Sequence, residues 1–278
     1  MDNLQFIIMD NLFIITIAIF VFFYLIGLVR KKKNKEKYEK NVIELQEEAK
    51  RLNIDVSKQP PNISAMSYDL SHGMDKNFGD TIYDGTSRNL KWKLVSTVKY
   101  TDDYATTSRK TLYQQTLKWI TNDKKLDNNY YVMIMDTPVE IKSDFNNETG
   151  FMNSIKNFVA EKALDFYISN YFGTEYKDLI NISDGKIIRN NNLKNYLIIT
   201  NKIELANQIL DENFTNLINN WDQRTANLTN SNLMKTPGIL FAPDKTIITC
   251  QSSVKNAEEA VVYSEICAEL LEKVDIKS

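Results

Sequence analysis

The sequence predicts an α+β protein: one N-terminal transmembrane helix, a juxtamembrane amphipathic helix, then a mainly antiparallel sheet with helices packed on one face. Three observations lead to it. An uncharged apolar run, Leu12 to Val29, closes on a basic block from Arg30 to Lys37. The next twenty residues take up the helical period with charges on the other face. Beyond Leu90, short apolar runs arrive as strands followed by a helix, three times over.

The run from Leu12 to Val29 has eighteen residues, and at ~1.5 Å each they reach about 27 Å, close to the thickness of a bilayer's hydrocarbon core. It carries no polar stripe, which a buried helix of a soluble core usually has. Asp2 and Asp10 precede it and lysines follow it, the reverse of a cleaved signal peptide. Arg30, Lys31, Lys32, Lys33, Lys35 and Lys37 then set the orientation, because short flanks rich in Lys and Arg stay in the cytoplasm. The expected location is the cell membrane, single-pass, with the N-terminus outside.

Charge excludes one class of partner. The formal total is −2; the block from Arg30 to Lys37 holds a net +5, residues 1–29 hold −2, and −5 remains for residues 38–278. An acidic domain with no basic stripe does not suit nucleic acid. With 43% hydrophobic and 25% charged residues, the chain as a whole has the composition of a globular protein.

In residues 34–53, Tyr38, Val42, Leu45, Ala49 and Leu52 recur at offsets of three and four. This helix continues the span as a stalk, pairs in a short coiled coil, or packs on the domain. Gln59-Pro60-Pro61-Asn62 breaks the pattern, and Gly73, Gly79 and Gly85 lie among acidic residues, so 55–89 reads as a linker or long surface loop. Leu90 to Tyr100 alternates as a strand, while Thr107 to Thr121 fits helix and strand alike. Asp127-Asn128-Asn129 turns into a strand from Tyr130 to Met135. Phe151 to Tyr167 has the helical period and ends near Gly173. Ile180 to Ile188 reads as a hairpin about Asp184-Gly185, Tyr196 to Thr200 as a strand, and Leu205 to Trp221 as one helix. Thr225 to Pro237 is polar loop. Gly238–Ala242 and Thr246–Cys250 form a hairpin around Pro243-Asp244-Lys245, before a last helix from Ala257 to Val274. The expected organisation is an extracytoplasmic N-terminus (1–11), a span (12–29), a basic block and juxtamembrane helix (30–54), a linker (55–89) and a cytoplasmic domain (90–278).

Chemistry is sparse. No two of the eight glycines make a phosphate-cradling loop, so neither nucleotide nor other cofactor is expected. There is no G-x-S-x-G elbow, H-E-x-x-H or Cys-X-X-Cys. His72 is the one histidine, so any histidine-based nucleophilic site must be built on it. Around it stand Asp69, Asp75, Asp80 and Asp84, carboxylates that with imidazole could hold a divalent metal or act as acid and base. Turns use glycine and aspartate anyway, and EF-hand spacing fails at Gly79 and Thr86, so the solvated-loop reading outweighs the metal site. Cys250, Cys267, Trp92, Trp119 and Trp221 read as core residues. The expected function is protein binding or scaffolding at the membrane, with the bilayer and a protein as partners. The alternative is a membrane-anchored, metal-assisted hydrolase using the His72 loop.

Overall fold

A computed structural model describes residues 2–58, 80–103, 110–137, 163–228 and 236–274, with side chains at 2–14, 18, 98–103, 110–114, 163, 166 and 170 outside the description. The first element, α1, is a single 50-residue helix, Asp2–Arg51. No proline interrupts it, and its exposed middle carries Lys32–Glu36, Lys35–Glu39 and Lys40–Glu44 pairs one turn apart. It stops in a Schellman motif. Asn53 takes the left-handed conformation (φ 58), its N–H donates to the Lys50 carbonyl, and the Ile54 N–H donates to the Ala49 carbonyl at 3.1 Å. Ile54 and Ala49 are both buried, so the hydrophobic contact of that motif anchors the helix end in the core.

The reversal sends β1 (Asp55–Lys58) back along α1, and Lys58 lies 5.5 Å from the centre of the Tyr38 ring. The juxtamembrane helix thus packs on the domain. Two strands, β1 and β2 (Thr81–Ser87), stand where the sequence suggested linker or loop. Their alternation is only four and seven residues long, and prolines and glycines between them carry the louder turn signal. Gly85 within β2 is required by packing, since a Cβ there would stand 2.5 Å from the Trp92 ring opposite.

The sheet adds β3 (Leu90–Asp103), β4 (Lys110–Thr121), β5 (Val132–Asp136), β6 (Lys186–Ile188), β7 (Tyr196–Thr200), β8 (Gly238–Phe241) and β9 (Thr246–Cys250). Its nine strands run in the order β1-β2-β3-β4-β9-β8-β5-β7-β6, with antiparallel neighbours throughout. Thr107 to Thr121 resolves as strand from Lys110 on, because it pairs with β3 over its whole length. β2 and β3 join through Arg88 (φ 50) and Asn89 (φ 64), a two-residue turn with both centres left-handed.

Among the described residues the further helices are α2 (Ala163–Phe172), α3 (Ile203–Ile209), α4 (Glu212–Asn219), α5 (Trp221–Arg224) and α6 (Ala257–Glu272). They correct the expectation that helices cover one face only. Val132, Ile134, Ile198, Ile239, Phe241, Ile248 and Cys250 face a core shared with the end of α1 and with α3 to α6. The alternate residues Met133, Met135, Leu197, Ile199, Leu240 and Ile247 face a second core closed by Leu164, Ile168 and Phe172 of α2 and by Tyr176. Strands buried on both faces read as near-continuous apolar runs, as β5, β7, β8 and β9 do, with polar Thr200, Thr246 and Thr249 the buried exceptions.

Two local readings also change. The stretch Leu205 to Trp221 is three short helices, because Asp211 accepts the Phe214 N–H at 2.7 Å and begins α4 afresh. Asp184-Gly185 is no hairpin turn: Ile182–Asp184 is a 3-10 turn capped by Asn181, and Gly185 is extended with φ −76. The helix expected from Phe151 is described only from Ala163; residues 151–162 lie outside the description.

The two-sided core sets the cost of truncation. Ile134→Ala removes a fully buried side chain from a strand with no exposed face, and should cost about 3–4 kcal/mol. Val95→Ala, on the half-buried face of β3, should cost under ~1 kcal/mol. Urea unfolding followed by fluorescence of the buried Trp92, Trp119 and Trp221 measures both.

Candidate functional site

The feature of α1 that the fold does not consume is its surface ahead of Tyr38. From Ile15 to Val29 its described large apolar side chains are exposed except the half-buried Ile26, with Phe20 at 74%, Tyr24 at 68% and Phe23 at 65%. Successive helical residues turn by about 100°, so the exposed Ile15, Ile17, Phe20, Val21, Phe23 and Leu25 are spread around the whole helix and leave no polar stripe. Among the described residues no helix is long and apolar enough to cross a membrane. The expected span, Leu12–Val29, is part of α1, and its described side chains begin at Ile15.

The six cations expected to set the orientation follow without a break in the helix. Arg30, Lys31, Lys32, Lys33, Lys35 and Lys37 are all exposed and form a collar around it. Lys32 and Lys35 reach Glu36 and Glu39 at 3.9 and 3.7 Å across strongly exposed pairs, which contribute little to stability. The collar ends where the domain starts. Tyr38 meets Lys58, Leu45 and Leu52 pack on the core, and Glu48 accepts the Glu258 N–H at 3.2 Å at the start of α6.

The His72 constellation is not assembled by the described residues. Asp69, His72 and Asp75 lie outside them. Asp80 is half-buried just before β2, and Asp84 sits on β2 with Lys93 at 3.9 Å. Among the described residues no three His, Cys, Asp or Glu side chains are placed to hold a metal.

Three clusters join residues far apart in sequence. Arg88, on the β2–β3 turn, reaches Glu265 at 3.4 Å, Glu269 at 3.8 Å and Glu272 at 2.5 Å along one stripe of α6. Arg224 grips Glu269 through both nitrogens, at 2.6 and 3.3 Å. The Arg224 hydrogen bonds hold the Glu269 carboxyl below its usual range, with Arg88 adding to the effect. In the core, Cys250 Sγ lies 3.2 Å from the Tyr263 hydroxyl, and Trp221 packs edge-on against that ring. Burial pushes the Cys250 thiol up to about 12 and Cys267 well above its ordinary value, so both are neutral core residues at physiological pH. On the opposite face Lys118 pairs with Glu175 beside Gly173, whose φ of 82 suits glycine. The spacing of Glu265, Glu269 and Glu272 was visible in the sequence as one helical stripe, but their cations are not local.

No known protein family, curated protein or solved structure matches the chain.

The Arg224–Glu269 pair makes stability depend on pH. A carboxyl whose folded pKa is depressed stabilises the fold above its ordinary value of 4.5, and that contribution is lost as pH falls through the folded value. Glu269→Gln should lower stability at pH 7 by about 1 kcal/mol and flatten the loss below pH ~4.5. Urea midpoints from pH 7 to pH 3, wild type against variant, give both quantities.

Proposed function

We propose that α1 anchors the protein in a bilayer through Leu12–Val29 and that the α+β domain is a protein-binding or scaffolding module on the cytoplasmic side. The observation that carries this reading is one helix with two incompatible environments. Its C-terminal end is packed in the domain core, and its apolar stretch is exposed on all sides. Eleven large apolar residues between Ile15 and Val29 are exposed, and removing them from water gains on the order of 10 kcal/mol, as much as a whole domain's stability. A lipid core supplies that gain without a partner protein.

Apolar residues on every side favour a crossing helix over one lying in the interface, which needs a polar face. The collar from Arg30 to Lys37 favours retention of the domain in the cytoplasm. Anchoring confines the domain to two dimensions, so a modest interface suffices for a membrane-bound partner. The charged clusters of the described residues tie α6 to its neighbours, and the sequence has no phosphate loop or nucleophile elbow. Both favour a binding role.

Three measurements test this. The full chain should stay with membranes through alkaline carbonate, and deleting Leu12–Val29 should release it to the soluble fraction. Protease added outside spheroplasts should leave the domain intact; cleavage there reverses the orientation. Purification from mild detergent at high salt should retain a stoichiometric protein companion, and recovery of the chain alone counts against scaffolding.

A further inference from the structure

The path of α1 into the sheet fixes which end of the domain is nearest the proposed bilayer, and a second element points the same way. β1 runs antiparallel to α1, so Lys58, beside Tyr38, marks the end of the sheet nearest the collar. In register, Lys58 pairs with Thr81 and Thr81 with Ser96. At that level β2 begins, whereas β3 continues through Thr97 to Asp103, paired with β4 from Thr116 back to Lys110. The pairing of β4 with β9 stops at Leu117 and Cys250. A two-stranded ribbon therefore runs on past both neighbours, towards the side from which α1 enters.

Its reach can be compared with the gap. From Tyr38 to Arg30 is eight helical residues, about 12 Å, and the headgroup layer takes up roughly 5–7 Å of it. The ribbon from Ser96 to Asp103 is seven residues, about 23 Å. At any inclination to the helix up to ~60° it advances at least about 11 Å along the helix axis, more than the roughly 5–7 Å between Tyr38 and the headgroup layer. The ribbon is longer than the gap.

We infer that the outer β3–β4 ribbon, Thr97–Asp103 with Lys110–Thr116, rests in the headgroup layer of the leaflet that α1 leaves. The domain then touches the bilayer at two places. The inference rests on the anchoring reading above and adds to it a contact that a simple tether does not have. Composition agrees with the placement. Tyr100 and Tyr113 are direct cross-strand partners near the middle of the ribbon, at the level of the collar, and tyrosine favours the membrane interface. Lys99 and Lys110 are balanced by Asp102 and Asp103, so the ribbon is neutral in sum and meets headgroups through its tyrosines and threonines rather than through net charge.

The test uses the full chain in vesicles of phosphatidylcholine and phosphatidylglycerol at a ratio of about three to one, chosen to present anionic headgroups. An environment-sensitive dye is placed on Thr101→Cys and, separately, on Lys186→Cys of β6 at the far edge of the sheet; Cys250 and Cys267 are buried and do not compete. Spin-labelled headgroups should quench the dye at 101 at least threefold more than at 186. Equal quenching at both positions overturns the inference. Thr111→Cys, paired with Asp102 across the ribbon, reads the same contact if the first variant does not fold. A chain that fails to float with the vesicles refutes anchoring instead, and a floating chain with an unquenched ribbon refutes only the ribbon contact.

Discussion

The burial of α6 is the interaction on which the rest of this fold depends. Ala257, Ala260, Tyr263, Ser264, Cys267, Ala268 and Leu271 are buried on it, and the alanines let neighbouring backbones come close. Asn256 starts the helix by accepting the Glu259 N–H at 2.9 Å, and Glu48 of α1 accepts the next free N–H, from Glu258. α6 thus bears on the end of α1, on β2 and β3, on Trp221, and on β9 through Cys250. The ion pairs from Arg88 and Arg224 then fix its outer stripe.

The two halves of the sheet obey different rules. β5, β7, β8 and β9 are covered on both sides, and their stability is a matter of apolar volume. β2, β3 and the inner part of β4 bury Tyr83, Trp92, Leu94, Leu117 and Trp119 on one face only. Their other face carries Asp84, Lys91, Lys93 and Lys118. The charged residues on this face are compatible with an aqueous surface, whereas the polar residues inside the double-covered half are threonines such as Thr200 and Thr246, whose hydroxyls donate to the Tyr131 and Lys124 carbonyls.

What the sequence made legible follows from what is local. β7, β9, the β8–β9 hairpin and α6 appear within a residue or two of their expected bounds, because continuous apolar runs and the helical period are local signals. Coverage of the second face was missed, although the same unbroken runs imply it. The cap at Asp211 was overridden by the apolar period running through it. The Arg88-Asn89 turn lacks the glycine that usually announces such a hairpin, so nothing local marked β2 as its partner. At the candidate site the collar is plain in the composition. The grip of Arg88 on Glu272 spans 184 positions and has no sequence signal at all.

The pairing of β4 with β9 has a consequence for the order in which the protein comes into being. Leu117 meets Cys250, and Trp119 meets Ile248, so the middle of the sheet closes only after about nine-tenths of the chain exists. During synthesis β1 to β4 can form hairpins, but Trp92, Leu94 and Trp119 have no α6 to lie against until the last segment emerges. The apolar run of α1 is made before any strand of the sheet. The first half of the domain then waits, open on its apolar face, for the C-terminal strands and helix to complete it.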